Sequence, residues 1–291
     1  MGERPALVLI LSTERSGSTL LSVMLGAHER ILAPPELHLL RYESVADWRG
    51  GYPQAWTSLC WLASRLAPDL DEADLAREYG SASTLSVYES LLARREPGQI
   101  VVDKTPAYAR ERAYLERAEC LEPFYVWLVR HPLGVAHSRM ELLHRQRREH
   151  NRTWRGRVKY PPYLLRRALR SLTGSELRRH VRYWVECNEN TRAHLDRIDP
   201  SRSHLLRYES LVRAPAETLA PLADRLGLEM TPEMLEPWRH APRGTTSGLG
   251  DRKILETSRV DAERADAWRT RYDERQLPPE ARRLLTEIGE G

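Results

Sequence analysis

No stretch of this 291-residue sequence stays apolar for long. The longest runs, Ala6 to Leu11 and Phe124 to Val129, fall far short of the roughly 20 residues that span a bilayer. No basic stretch followed by an apolar segment marks a signal peptide at the N-terminus. The expectation is therefore a cytoplasmic protein with no membrane partner. Cysteine is scarce too: Cys60, Cys120 and Cys187 are an odd number at wide spacing. With no CxxC pair and no companion histidine pattern, they exclude a zinc module and are read as reduced core residues, and no metal is expected. Internal repeats and low-complexity linkers are also missing.

Against these absences stands ample core material. Hydrophobic residues make up 41% and charged residues 30% of the chain, which argues against disorder. A single α/β domain over residues 1–291 is the simplest organisation at this length. Ala6 to Leu11 is uninterrupted by polar residues, the pattern of a strand buried on both faces of a parallel sheet. Ile100 to Val102, Tyr125 to Val129 and His204 to Tyr208 predict three more strands, with helical stretches between them. Alternation of this kind predicts an α/β, three-layer fold with a central parallel sheet flanked by helices, and ligands bound beyond the carboxyl ends of the strands.

After the first strand comes Ser12-Thr13-Glu14-Arg15-Ser16-Gly17-Ser18-Thr19, then a helix whose Leu20, Leu21, Met24 and Leu25 repeat at helical spacing. The loop suits an anion. Gly17 admits close approach of the backbone, the first helical amides are unsatisfied, and Arg15, Ser16, Ser18 and Thr19 add side-chain donors. An N-capped helix with an exposed arginine is the plainer alternative. A nucleoside triphosphatase or nucleotide kinase would need GxxxxGK(S/T), and here there is one glycine and no lysine, which disfavours ATP chemistry. Downstream, Arg130 follows the strand Tyr125 to Val129, and Ser138 lies eight residues further on. A strand-end arginine offers a planar fork for phosphate, and a serine one or two turns into the next helix reaches the same group.

The pairing of these two motifs resembles the PAPS-dependent sulfotransferases, a family with a P-loop-like fold that uses 3'-phosphoadenosine-5'-phosphosulfate (PAPS) as sulfuryl donor and releases PAP. The resemblance implies that Thr13 to Leu21 is the 5'-phosphosulfate loop, and that Arg130 with Ser138 holds the 3'-phosphate. Arg207-Tyr208-Glu209-Ser210-Leu211 is similar to the family's late RYEDL stretch, which implies that Tyr208 lines the nucleotide pocket. Arg252 and Lys253, in a glycine-rich loop, are further candidates for the 3'-phosphate.

Transfer of a sulfuryl group needs an oxygen nucleophile, a base for its proton and cations for charge arriving on the leaving oxygen. Pro34-Pro35-Glu36-Leu37-His38 follows the phosphate loop's helix, and in an extended segment Glu-x-His places both side chains on one edge. Resemblance to sulfotransferases with a glutamate in this region implies Glu36 as general base and His38 as its orienting or acceptor-binding partner. Val102-Asp103-Lys104-Thr105-Pro106-Ala107-Tyr108 looks like the family's (D/E)K(S/T)PxY motif, and implies that Lys104 joins Arg15 at the transferring group. A solvent-facing pair and a solvated strand-end lysine are the ordinary alternatives.

The PPELHLL, VDKTPAYA, LVRHP and RYESLV stretches are most similar to sulfotransferase domains of curacin-type and olefin-forming polyketide synthases. That implies an acceptor hydroxyl on a β-hydroxyacyl chain carried by an acyl carrier protein, with a free small molecule as the alternative. Residues 139–182 depart from the pattern, with fourteen Lys and Arg against three acids. They are read as a basic inserted or mobile helical region. Its charge suits an acidic carrier protein, while few aromatics and no recognisable module argue against nucleic acid. A solvated arginine-rich face explains it equally well.

Overall fold

The central strand is made of five residues with no exposed surface, Leu7 to Leu11. In the computed structural model, which describes residues 4–151, 175–240 and 259–290, the chain runs as follows. Strand β1 (Leu7–Leu11) leads to α1 (Ser18–Gly26), the two-residue β2 (Ile31–Leu32), then α2 (Val45–Gly51), α3 (Ala55–Leu66), α4 (Glu72–Tyr79) and α5 (Thr84–Ala93). It continues through β3 (Ile100–Asp103), α6 (Arg112–Ala118), β4 (Phe124–Val129) and α7 (Pro132–Asn151). After α8 (Ser175–Leu195) come β5 (Ser203–Arg207), α9 (Tyr208–Arg213), α10 (Pro215–Arg225), α11 (Pro237–His240) and α12 (Pro279–Glu290).

The strands form one sheet in the order β2-β3-β1-β4-β5, with parallel pairing throughout. Alternation along β1 divides the core. Leu7, Leu9 and Leu11 pack with Trp48, Leu59 and Tyr88 on one face, and Val8 and Ile10 pack with Leu21, Leu25 and Leu222 on the other. Such period-two alternation, both halves apolar, is what a strand covered by helices on both sides requires. A third cluster gathers Trp127 and Val129 of β4 with Trp184 of α8, Trp268 and Leu284 of α12.

Strand order places the functional edge. The chain leaves β1 for β2 and β3 on one side, then crosses to β4 and β5 on the other, so connections from β1 and β4 diverge and leave a crevice at their carboxyl ends. Because all five strands point the same way, the residues that follow them (12–17, 33–38, Lys104, Arg130 and Tyr208) emerge at one edge.

Three details differ from the sequence reading. Strand β5 stops at Arg207, and Tyr208 opens α9 instead of ending the strand. The short β2 was not expected, because two residues carry no periodicity. Of the cysteines expected in the core only Cys187 is buried; Cys60 is half-buried and Cys120 exposed, and all three are free thiols. Cys120 falls in a short helical turn after α6, where nothing covers it. Both ends of the basic stretch lie in helices, α7 and α8, and its middle, 152–174, is outside the described residues, as are Arg252 and Lys253. No helix among the described residues is long and apolar enough to cross a membrane.

Leu9 sits at the centre of this sheet with no exposure. Leu9→Ala should lower the unfolding free energy by about 2–5 kcal/mol, read as a shift in the urea midpoint at unchanged slope.

Candidate active site

The loop after β1 is braced from within. The Thr13 and Ser16 hydroxyls lie 2.6 Å apart, and the Ser16 amide donates to the Thr13 carbonyl at 3.2 Å. Arg15 (φ 74°) and Gly17 (φ 93°) are both left-handed, and the reversal they produce delivers the chain into α1. No side chain caps α1, so its leading amides and the positive end of its dipole are available to an anion. Gly17 is fixed by space as well as by φ: a Cβ there would meet Cδ2 of Tyr208 at 2.3 Å. Tyr208 thus presses its ring directly on the loop.

Across the crevice, Arg130 follows β4 and is only 7% exposed. Its Nη1 donates to the Arg15 carbonyl and its Nη2 to the Arg264 carbonyl, each at 3.0 Å. Its guanidinium carbon lies 4.2 Å from the centre of the Tyr208 ring. Its Nε is buried with no hydrogen-bond partner. Burial lowers the guanidinium pKa, but arginine starts so high that the charge persists. On α7, Ser138 Oγ accepts from Arg15 Nε at 3.3 Å.

These groups line a cleft of about 300 Å³. Arg15, Gly17, Ser18, Thr19, Arg130, Ser138 and Tyr208, all singled out from sequence, are brought together on its wall. Ser16 is not: it is fully buried, with its hydroxyl and amide turned to Thr13, and it shapes the loop from beneath. Sequence reasoning missed Arg259 and Arg264, which reach the cleft from the segment leading to Trp268. Their signal was the cluster of arginines around the Val-Asp-Ala stretch, whose closeness to the phosphate loop depends on the tertiary hydrogen bond from Arg130 to Arg264.

Beside the cleft, on the β3 side, lies a second cluster. Lys104 Nζ is 2.8 Å from Glu36 Oε1, and His38 Nε2 is 3.1 Å from Glu36 Oε2. Lys104 and His38 are almost entirely buried, whereas the Glu36 side chain keeps 18% exposure. The two polar residues meet by a different route from the extended segment expected. His38 is left-handed (φ 57°) and starts the helical turn Leu39–Arg41. Leu37 is buried between them, and its carbonyl accepts from Trp48 Nε1 at 2.8 Å.

Arg41 Nη1 lies 3.4 Å from His38 Nδ1. A guanidinium only donates, so Nδ1 is the acceptor, and the ring proton sits on Nε2 facing Glu36. The ring also packs against Tyr52 at 3.9 Å between centroids. Burial alone would push the Glu36 carboxyl up, but the Lys104 ammonium, with help from His38, brings it down to about 2. Glu36 is therefore an ionised, two-donor carboxylate with one face open to solvent.

Comparisons with known proteins identify the family. The model described as "Sulfotransferase family" matches residues 5–232. Among solved structures, the sulfotransferase domain from the curacin biosynthetic pathway has a TM-score of 0.77 and 29% identity, covering 99% of both chains. The sulfotransferase domain from the Synechococcus PCC 7002 olefin synthase also scores 0.77, with 26% identity, and covers 99% of this chain and 96% of its own. Nodulation protein NoeE of Sinorhizobium fredii (strain NBRC 101917 / NGR234) is 24% identical over 270 residues, 91% of this chain. The chain spans only 60% of that curated relative's length. With the family match extending over most of the sequence and two such domains of like fold covering 99% of the chain, the chain belongs to the sulfotransferase family.

Proposed function

We propose that this chain is a PAPS-dependent O-sulfotransferase whose acceptor is a hydroxyl, most simply the β-hydroxyl of an acyl chain on an acidic carrier protein. The observation that carries the reading is the Lys104–Glu36–His38 cluster standing at the same sheet edge as a cleft rich in arginine. The cleft fits a nucleotide with two anionic ends. The uncapped start of α1 with Arg15, Ser18 and Thr19 would take the 5' side. Arg130, whose buried Nε still lacks an acceptor, would take the 3'-phosphate together with Ser138. Tyr208 walls the pocket between them.

PAPS supplies an activated sulfuryl group, and the protein's part is to manage charge and protons. Glu36 accepts the proton of the attacking hydroxyl, and His38, through its Nε2–H, fixes which carboxylate lone pair faces the acceptor. Lys104 and Arg15 neutralise charge as it moves to the leaving oxygen. A carboxylate held at about 2 is a weak base, so as Lys104 turns its charge toward the leaving oxygen, Glu36 becomes more basic. Proton acceptance and leaving-group stabilisation are then coupled through one ammonium.

For the acceptor, the two polyketide-pathway domains of like fold support a carrier-borne hydroxyl. Arg178, Arg179 and Arg182 are exposed on α8, and with the basic composition of 139–182 they favour an acidic partner. We read the whole chain as one domain, with 139–182 as its docking insertion.

Three outcomes are expected. Isothermal titration should show PAP binding well in preference to ATP, and Arg130→Ala should cost about 1.5–3 kcal/mol of PAP affinity, the range for hydrogen bonds to charged groups; equal affinity in the variant places the 3'-phosphate elsewhere. Glu36→Gln should cut turnover about 10²- to 10⁴-fold with PAP affinity intact, and unchanged turnover removes Glu36 as base. Because burial raises the Glu36 carboxyl and Lys104 lowers it, Lys104→Gln should move the acidic limb of kcat/KM to higher pH. A limb that stays in place breaks the coupling.

A further inference from the structure

One buried carboxylate has no part in the chemistry above. Asp103, the last residue of β3, has no exposed surface, yet it is ringed by hydroxyls. Thr105 Oγ1 donates to its Oδ1 at 2.8 Å and Tyr108 OH to its Oδ2 at 2.8 Å. Tyr88, from α5, donates to the same Oδ2. No lysine or arginine is hydrogen-bonded or ion-paired to it among the described residues.

The directions of these bonds are forced. A backbone N–H only donates, so a hydroxyl beside one must give it a lone pair and direct its own single proton at Asp103, and each hydroxyl has lone pairs to give. Both hydroxyls on the site side use them. Thr105 Oγ1 accepts the backbone N–H of His38 at 3.3 Å, and Tyr108 OH accepts the backbone N–H of Leu40 at 3.4 Å. Two amides of the turn bearing His38 are thus tied through two hydroxyls to one carboxyl group. The carbonyl side of the turn is held separately: Arg117 Nη1 donates to Leu40 and Tyr42 carbonyls at 3.0 and 2.7 Å.

The turn needs such anchoring. His38 is a non-glycine residue in the left-handed region, a conformation that persists only where surrounding contacts over-determine it. It is also the residue that aims Nε2–H at Glu36. Lys104, the other partner of Glu36, sits between Asp103 and Thr105 in sequence and so is bracketed by the same network.

We propose that Asp103 is a positioning residue for the Glu36–His38 pair, acting through Thr105 and Tyr108, whose hydroxyls donate to its oxygens and accept from the His38 and Leu40 amides. It has no exposed surface from which to touch a substrate. The functional weight of the proposal rests on the reading of Glu36 as base, but the geometry it asserts does not.

The full chain, uniformly ¹⁵N-labelled, tests it. In the wild type, long-range ¹H–¹⁵N spectra should show the His38 ring as a single Nε2–H tautomer. Thr105→Val removes the hydroxyl at constant shape, and should give His38 a mixed tautomer. It should also lower kcat for PAP release from PAPS, with 3-hydroxybutyryl-pantetheine or water as acceptor, by about 10- to 100-fold, with KM for PAPS within about twofold. Thr105→Ser keeps the hydroxyl and should restore both. Tyr108→Phe, which frees only the Leu40 amide, should have the smaller effect; Asp103→Asn should match or exceed Thr105→Val, and if it does not fold the threonine pair still decides. A Thr105→Val protein with the wild-type tautomer, or a Thr105→Ser protein as impaired as Thr105→Val, overturns the proposal. Should Glu36→Gln retain full turnover while the tautomer responds as stated, the assignment of Glu36 as base fails and the Asp103 relay stands.

Discussion

The buried guanidinium of Arg130 is the tie on which the cleft depends. Its two Nη groups hold the carbonyls of Arg15 and Arg264, residues more than two hundred positions apart, and its flat face covers the Tyr208 ring. Its own carbonyl accepts from Trp184 Nε1 at 2.8 Å, which fastens the strand end to α8. One side chain therefore sets the spacing of the phosphate loop, the start of α9 and the segment carrying Arg259 and Arg264. Burying a charge is costly unless it is hydrogen-bonded. Here it is bonded to backbone carbonyls rather than to a carboxylate, so its positive charge is not cancelled and remains available to an anion. The unpaired Nε is the residue of that bargain, a donor held in place without a protein acceptor.

On the β3 side the logic is reversed. Lys104 is nearly inaccessible and is neutralised by Glu36, which in turn is the more exposed of the two. An ammonium presented this way loses little in the resting protein and gains when negative charge develops nearby. The same contact suppresses the basicity of Glu36. Arginine in the cleft and lysine beside the carboxylate are thus suited to different tasks: a fork to hold a phosphate, and a compact charge able to change partners.

Much of this was legible in the sequence because the strands are buried on both faces. Leu7 to Leu11 and Phe124 to Val129 read as continuous apolar runs, and in a parallel α/β sheet the residues that follow such runs are the ones brought to the ligand edge. That placed Arg15, Lys104 and Arg130 at one edge of the sheet without any contact being known. Tyr208 was found from its likeness to the RYEDL stretch, although it begins a helix instead of ending a strand. What escaped detection had no local signature that set it apart from an ordinary surface or loop residue. Ser16 reads like its neighbours as an anion donor, and only the Thr13 hydroxyl shows that it is used internally. The meeting of Glu36 with His38 depends on a left-handed residue that no spacing rule predicts for histidine. Arg259 and Arg264 lie in a stretch whose arginines are individually indistinguishable from surface ones until Arg130 reaches across to them.

Asp103 and Glu36 show how environment alone separates two carboxylates built into one site. Both are taken out of water, which by itself raises a carboxyl pKa. Glu36 has a cation at 2.8 Å and falls to about 2; Asp103 has only neutral hydroxyls at hydrogen-bond range, and burial prevails, so its pKa is raised. Their linkage to folding is accordingly opposite in sign. The stability that Glu36 contributes is complete above the unfolded carboxylate range and is lost as pH falls toward about 2. Asp103 costs stability once it ionises, so its term is most favourable below the unfolded range and declines as pH rises through its raised value. Placing a carboxyl there, out of water and with no cation hydrogen-bonded to it among the described residues, is a cost to the fold. What the fold gains is an acceptor for two hydroxyl protons, which leaves Thr105 and Tyr108 to accept from the His38 and Leu40 amides.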